Sequence, residues 1–440
     1  MNLTSTSIIA IITLLTVYFL LITEKINKVL VAILGAAFLI FAQVYKSSNL
    51  SSEENAFHYI SKNLDILAFI IGMMLLVSIV KESGVFEAVA IWLVKLVKGD
   101  PKKILIAMSY LTFVMTVFLS NIPTILIITP VLLILIRQFK LPYFPYIFSM
   151  ITMANIAGAV SPISDPTTYY QSKTVGLGFF EVVSNSGAIA ILLSVIVITY
   201  VLVLFKKPLE EVKVNPDDTI AFEPLSAIKD VRIIKIGIPI LVFAIFLMTS
   251  KDLVDIFFGF KLDNGIIALS AAFISMLIFN ISPEKALKEM IDWGIIFFFI
   301  GLFIVVGALE FTGVTEELAK QLIALTNGNP VLLLLLITLG SAVLSVFIDN
   351  VPYIITMVDL VLKMQAGGLS VYPLWWGLNL GTSIGGSGSM IGAACNVVAI
   401  GQIEEEGFHP KFINYLKFGF PLVILNGLVA FTILYFRFYS

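Results

Sequence analysis

The chain has 440 residues, 59% of them hydrophobic and 13% charged, with a mean hydropathy of +1.03 and a formal net charge of -2. Soluble domains average roughly half apolar and a quarter charged residues, so the bulk of this chain belongs in a membrane, and no polar segment is long enough for a second fold. The near-neutral charge without a dense basic cluster excludes a nucleic-acid partner; the single Cys395 excludes an intrachain disulfide; and His58 and His409, both in polar stretches, leave no histidine for an intramembrane metal cluster.

The first apolar run, 7–23, has no basic n-region and no small-residue cleavage site, so it reads as a retained helix rather than a signal peptide. Crossings are predicted at 7–23, 29–45, 65–81, 143–170 and 185–205, then at 233–250, 264–280, 293–310, 372–400 and 418–436. Two further apolar stretches, 101–137 and 329–363, are interrupted by Asn121-Ile122-Pro123 and Asn350-Val351-Pro352. Proline removes an amide donor that a continuous helix needs, so each stretch is predicted to be a re-entrant hairpin. Gly84 to Lys98 and Gly313 to Asn327 mix charged and apolar residues, as suits a helix in the interface plane. The predicted fold is an all-α polytopic membrane protein of two inverted repeats, 1–205 and 232–440, joined by a cytoplasmic linker at 206–231. Each repeat holds five transmembrane helices and one re-entrant hairpin, with broken helices at the midplane.

The repeat is visible at an offset of 229 residues, where Gly72 matches Gly301, Gly84 matches Gly313, Asn121 matches Asn350 and Pro123 matches Pro352. Further on, Asn155 is matched with Asn379 at 224 and Ile163 with Ile391 at 228. Five crossings per half is an odd number, so the second half enters the bilayer upside down and the hairpins come from opposite faces. With both termini outside, the inner segments hold 19 lysines and arginines and the outer segments 8, the bias that cytoplasmic loops show.

Breaking a helix in lipid exposes backbone groups that cost several kcal/mol each unless protein, water or an ion satisfies them. Such breaks, with their dipole ends and free carbonyls, suit ion and solute binding. Helix breaks are expected at Pro123, Gly158, Pro162, Pro166, Pro352, Gly385, Gly386 and Gly388. Asn121, Thr124, Asn155, Asn350, Asn379, Ser387, Ser389 and Asn396 are the candidates for solute binding in one shared midplane cavity. Ser120, Asn121, Asp165, Asp349, Asn350 and Thr382 are the candidates for binding the coupling cation, sodium or a proton. The two acids carry this assignment, because an intramembrane carboxylate costs about 2.5–3.5 kcal/mol unless paired or solvated, and no basic residue accompanies either in its motif. Capping of the half-helices by these same side chains is the structural alternative, compatible with binding.

These motifs resemble the ion transporter superfamily, which contains arsenite-efflux pumps, NhaD-type sodium/proton antiporters, the melanosomal P protein and, more distantly, dicarboxylate/sodium symporters. The resemblance covers both halves. Asp349-Asn350-Val351-Pro352 and the stretch Gly385-Gly386-Ser387-Gly388-Ser389-Met390-Ile391-Gly392-Ala393-Ala394-Cys395-Asn396-Val397-Val398 look like the P-protein and arsenite-pump branch. Asn155-Ile156-Ala157-Gly158 and Ile163-Ser164-Asp165-Pro166 look like the family's Asn-Ile-Gly-Gly and Ile-Gly-Asp-Pro, departing at Ala157, Ser164, Thr167 and Thr168. The resemblance implies a homodimer built on the early crossings of each half, with hairpins and following crossings moving as a unit. It also implies sodium binding near Ser120, Asn121 and Asn350, although Ile122 and Val351 replace the threonine of the symporters' Ser-Asn-Thr.

The function read from the sequence is secondary active transport, coupling sodium or a proton to movement of a small anion, by an elevator mechanism. A sodium/proton antiporter is the alternative, and arsenite/antimonite efflux a narrower one. An enzyme is not expected: Gly385-Gly386-Ser387-Gly388 fits the rhomboid nucleophile pattern, but a serine nucleophile needs a base in reach and neither histidine lies at membrane depth. No cofactor is expected and no ATP-binding motif is present. The expected location is the plasma (inner) membrane.

Overall fold

A computed structural model describes residues 4–23, 26–46, 55–212, 223–259 and 262–440, and among these every regular element is a helix. The first half runs through α1 (Ser5–Thr23), α2 (Lys28–Phe41), α3 (Leu64–Lys81), α4 (Val85–Leu96), α5 (Pro101–Leu119), α6 (Asn121–Gln138), α7 (Tyr143–Ala157), α8 (Pro166–Val175) and α9 (Ala188–Leu204). The second runs through α10 (Ile238–Phe258), α11 (Asn264–Phe279), α12 (Trp293–Phe311), α13 (Val314–Leu325), α14 (Pro330–Leu344), α15 (Asn350–Ala366), α16 (Tyr372–Gly386), α17 (Ala394–Glu405) and α18 (Phe412–Tyr439). Shorter helical turns connect them.

The local signals that start and stop these helices recur in both halves. Gly84 and Gly313 sit at φ +77° and +72°, a left-handed conformation that glycine adopts without steric cost, and each turns the chain from a crossing into α4 or α13. Both α5 and α14 begin with proline in their first turn, behind a capping side chain. Asp100 accepts from the Lys103 amide at 3.1 Å, and Asn329 accepts from the Val331 amide at 3.0 Å. The first residues of α4, α5, α6 and α7, which are 85, 101, 121 and 143, become those of α13, α14, α15 and α16 on adding 229. That register corrects one pairing made from sequence. Because α7 and α16 both hold 15 residues, Asn155 corresponds to Ile384, and Asn379 to Met150. The register changes only inside the break that follows, since α8 and α17 start at 166 and 394, an offset of 228.

The two halves cross-pack through glycines. A Cβ on Gly72 of α3 would lie 2.6 Å from Ala268 Cβ of α11, and one on Gly301 of α12 would lie 2.9 Å from Ala32 Cβ of α2. Each half's third crossing thus lies backbone-close against the other half's second, the small-residue packing that membrane helices use in place of a hydrophobic driving force. Around this frame the hairpins α5–α6 and α14–α15 pack against the broken helices α7–α8 and α16–α17. The linker end returns to the first half, where Lys229 N donates to Ser83 O at 2.8 Å.

Long-range ion pairs fall into two sets. Lys62–Glu310 and Lys173 with Asp65 and Asp263 form one, and Lys102–Glu210, Lys285–Glu82 and Arg137–Glu406 form the other. No described ion pair joins one set to the other, as expected of a molecule with water on two faces and lipid between.

Candidate functional site

Both hairpin tips and both helix breaks meet inside the molecule. At the first tip, α5 ends at Leu119 and α6 starts at Asn121, so the whole reversal falls on Ser120, at φ +73° and ψ +161°. At the second, α14 ends at Leu344, residues 345–348 form a looser turn, and Asp349 caps α15 by accepting from the Val351 amide at 3.0 Å.

Asp165, 2% exposed, caps α8: its Oδ1 accepts from the Thr167 amide at 2.7 Å and from the Thr167 hydroxyl at 2.6 Å, and its Oδ2 accepts from Asn121 Nδ2 at the first tip. The break before it is held by Ser164, whose hydroxyl lies 2.6 Å from Ser161 O, and by Thr168, whose hydroxyl lies 2.7 Å from Gly158 O. A side chain at Gly158 would press within 3.1 Å of Asp165 Oδ2, so the glycine is needed to bring the carboxylate against the break.

Several of the predicted solute ligands instead fasten backbone. Asn396 donates to Gly386 O at 2.7 Å and Ser389 O at 2.8 Å, and its Oδ1 accepts from Asn155 at 2.7 Å. Asn379 donates to Ala159 O and Ser186 Oγ, and lies 2.8 Å from the Thr168 hydroxyl. Ser387 donates to Ile384 O at 2.6 Å, Ser389 donates to Val346 O, and Thr124 donates to Ser120 O at 2.7 Å. These bonds satisfy carbonyls freed by the breaks, which apolar surroundings require. Asn155 Oδ1 and Thr382 Oγ1 make no hydrogen bond among the described residues. Gly381 and Gly385 face α14, where Cβ atoms would meet the Thr338 and Ala342 carbonyls, so both serve hairpin packing.

Asn121, Asp165, Pro166 and Asn350 do come together, lining a small, partly enclosed chamber of about 20 Å³ with Lys28, Phe298 and Phe299. That is room for one water-sized particle, with two asparagines and a carboxylate among otherwise mainly apolar lining residues. Hard cations favour such oxygen donors. Two larger cavities flank it. One, of about 330 Å³, is lined by Asn27, Lys28, Phe298, Phe347 and Asp349; the other, of about 350 Å³, by Ser78, Lys81, Pro123, Glu289 and Asp292. Both open beside residues assigned to the inner face, whereas Lys173 ties α8 to Asp65 and Asp263 on the opposite face. Among the described residues, no group of three His, Cys, Asp or Glu could hold a metal.

Lys28 is the residue that sequence reasoning missed here. It sits at the start of α2, is remote in sequence from both acids, and lines both the small chamber and the 330 Å³ cavity.

Helices long and apolar enough to cross a membrane, two helical hairpins and a polar junction between their tips are the features of a membrane transporter. The comparisons give the family: the CitMHS citrate transporter family matches residues 18–381, and the chain belongs to it. An uncharacterized transporter of Mycobacterium tuberculosis is 29% identical over 98% of this chain and 99% of that one. The human P protein is 25% identical over 94% of this chain and 58% of its own length. Among solved structures, the Alcanivorax borkumensis YdaH transporter shares the fold, with a TM-score of 0.58 at 12% identity, covering 96% of this chain and 98% of that one.

Proposed function

We propose that this protein is a secondary active transporter that couples sodium or a proton to the movement of a small anion, and that a carboxylate of the citrate class is the first solute to test. The observation that carries the reading is the convergence of Asn121, Asp165 and Asn350 on one small chamber, with a lysine on its wall and larger cavities beside it. A chamber of about 20 Å³ admits a bare ion and not a carboxylate of many atoms, so the anion would sit in an adjoining cavity and the hairpin tips would part to pass it. Elevator movement of the hairpins and broken helices, a homodimer built on the early crossings, both termini outside and the plasma membrane complete the reading.

The test is uptake of labelled citrate and related anions into proteoliposomes under an imposed sodium or pH gradient, with uptake expected only when a gradient is present. Sodium/proton antiport is the second reading, favoured by two carboxylates, Asp165 and Asp349, at one junction. Proton release on sodium addition without any solute would establish it and sink anion coupling. Arsenite efflux is the narrower reading, tested by whether expression protects cells from arsenite.

A further inference from the structure

Lysine is an odd residue for the place Lys28 occupies. It is the first residue of α2, capped by Asn27, whose side chain accepts from the Val29 amide at 2.9 Å. The positive end of the helix dipole disfavours a cation there, so the position works against helix stability. Helix α2 has 14 residues, about 21 Å at 1.5 Å each, against a hydrocarbon core about 30 Å thick. The helix is by itself shorter than that core. The ammonium lies 5.5 Å from the centre of the Phe298 ring, a cation–π distance, and Lys28 shares the wall of the 330 Å³ cavity with Asp349. On its other side it borders the chamber that holds Asp165. A residue that breaks a local rule and lines one cavity with each of two acids is where a functional requirement is expected to outweigh stability.

Position in the fold adds a constraint. Helix α2 packs backbone-close on α12 through Gly301 and Ala32, within the cross-packed frame. Asp349 stands on a hairpin tip and Asp165 on a broken helix, the parts that move in the elevator reading. Lys28 and the acids are thus carried by different parts of the molecule.

We propose that Lys28 is a tethered cation, supplied by the frame, that competes with the free coupling cation for the charge position between Asp165 and Asp349. The inference rests on the cation-coupled reading above. A free cation entering the chamber displaces the ammonium towards the 330 Å³ cavity, where it meets the anion, so one side chain links the two binding events. Lys28 is a positioning residue in this scheme and is not itself transported.

The experiment is thermal unfolding of the purified full chain at constant ionic strength, with sodium replacing choline, and in a parallel series with falling pH, since a native-state ligand raises the unfolding temperature with its occupancy. Lys28→Gln is expected to lower the sodium concentration, or the proton concentration, for half-maximal stabilisation about tenfold, while Lys28→Arg stays near wild type. Combining Lys28→Gln with Asp349→Asn is expected to remove the gain. Equal midpoints for wild type and Lys28→Gln in both series overturn the proposal, as does a gain that persists without Asp349. If neither cation stabilises even the wild-type chain, both the proposal and cation coupling fail. If sodium or protons stabilise every form alike, coupling stands and the role of Lys28 falls.

Discussion

The two hairpin tips occupy equivalent positions in the repeat and are built differently. The first turns on a single strained residue, Ser120, and is tied by a side chain, with Asn121 donating to Asp165 in the break behind it. The second spends four residues, 345–348, on the turn and is tied by backbone, with Asn350 N donating to Gly392 O at 3.2 Å. One tip therefore uses up a carboxylate's bonds inside the protein. The other leaves Asp349 half-buried, with one oxygen capping a helix and the side chain lining a cavity. The repeat supplies the frame, and the single residue before each Asn-x-Pro supplies the chemistry.

The largest effect is expected at the tied tip. Asp165→Ala leaves Asn121 Nδ2 and both Thr167 donors unpaired in a buried site, and should cost about 3 kcal/mol, read as a lower unfolding temperature with loss of gradient-driven uptake. Wild-type stability would mean that the first tip is not held by this carboxylate. Next comes the frame shared by both tips. A Cβ at Gly72 would lie 2.5 Å from Leu269 N, so Gly72→Val should cost about 2 kcal/mol by overpacking; a variant as stable as wild type would show that the cross-packed pair can separate freely. Ser120 carries the opposite sign. Its φ and ψ lie where glycine alone is comfortable, at a cost of about 1–3 kcal/mol for other residues, so Ser120→Gly is predicted to stabilise the protein by about 1 kcal/mol while slowing transport. Asp349→Gly at the equivalent position has no such strain to relieve and should not stabilise; equal gains at both positions would erase the contrast.

The smallest effect is expected at the rim. Lys173 joins a broken helix to Asp65 and Asp263 on the frame, and partly exposed pairs of this kind contribute about 1 kcal/mol or less. Lys173→Ala should raise labelling of a cysteine placed at Tyr169 by no more than about fivefold. Unchanged labelling would show that this tie does not hold the outer face closed.

Much of the fold was legible in the sequence because lipid imposes few solutions: apolar length gave the crossings, and proline at mid-run gave the hairpins. The offset of 229 was legible because glycine and proline mark backbone conformation directly. The asparagines misled the pairing. Asn155 and Asn379 each bond across to the other half of the molecule, and such a contact leaves no spacing signal within either segment. Lys28 was hidden for a related reason. Asp165 and Asp349 are about 137 and 321 residues away from it in sequence, and only the shortness of α2 and a cation at its positive end mark the position as unusual. Ser387, Ser389 and Asn396 stand out in the sequence because they are polar in an apolar context, and their bonds to backbone carbonyls at the glycine-rich break and the second hairpin turn leave no spacing signal.

The separation of Lys28 from the two acids also has an electrical side. A charge that crosses the whole membrane exchanges about 2.3 kcal/mol with each 100 mV of potential. In the elevator reading, where the hairpins and broken helices shift while α2 stays, Asp165 and Asp349 would travel through the field and the ammonium would not. The empty return step and the loaded forward step then carry different charge, so membrane voltage would favour one over the other and give the transport cycle a direction that neither tip could impose alone.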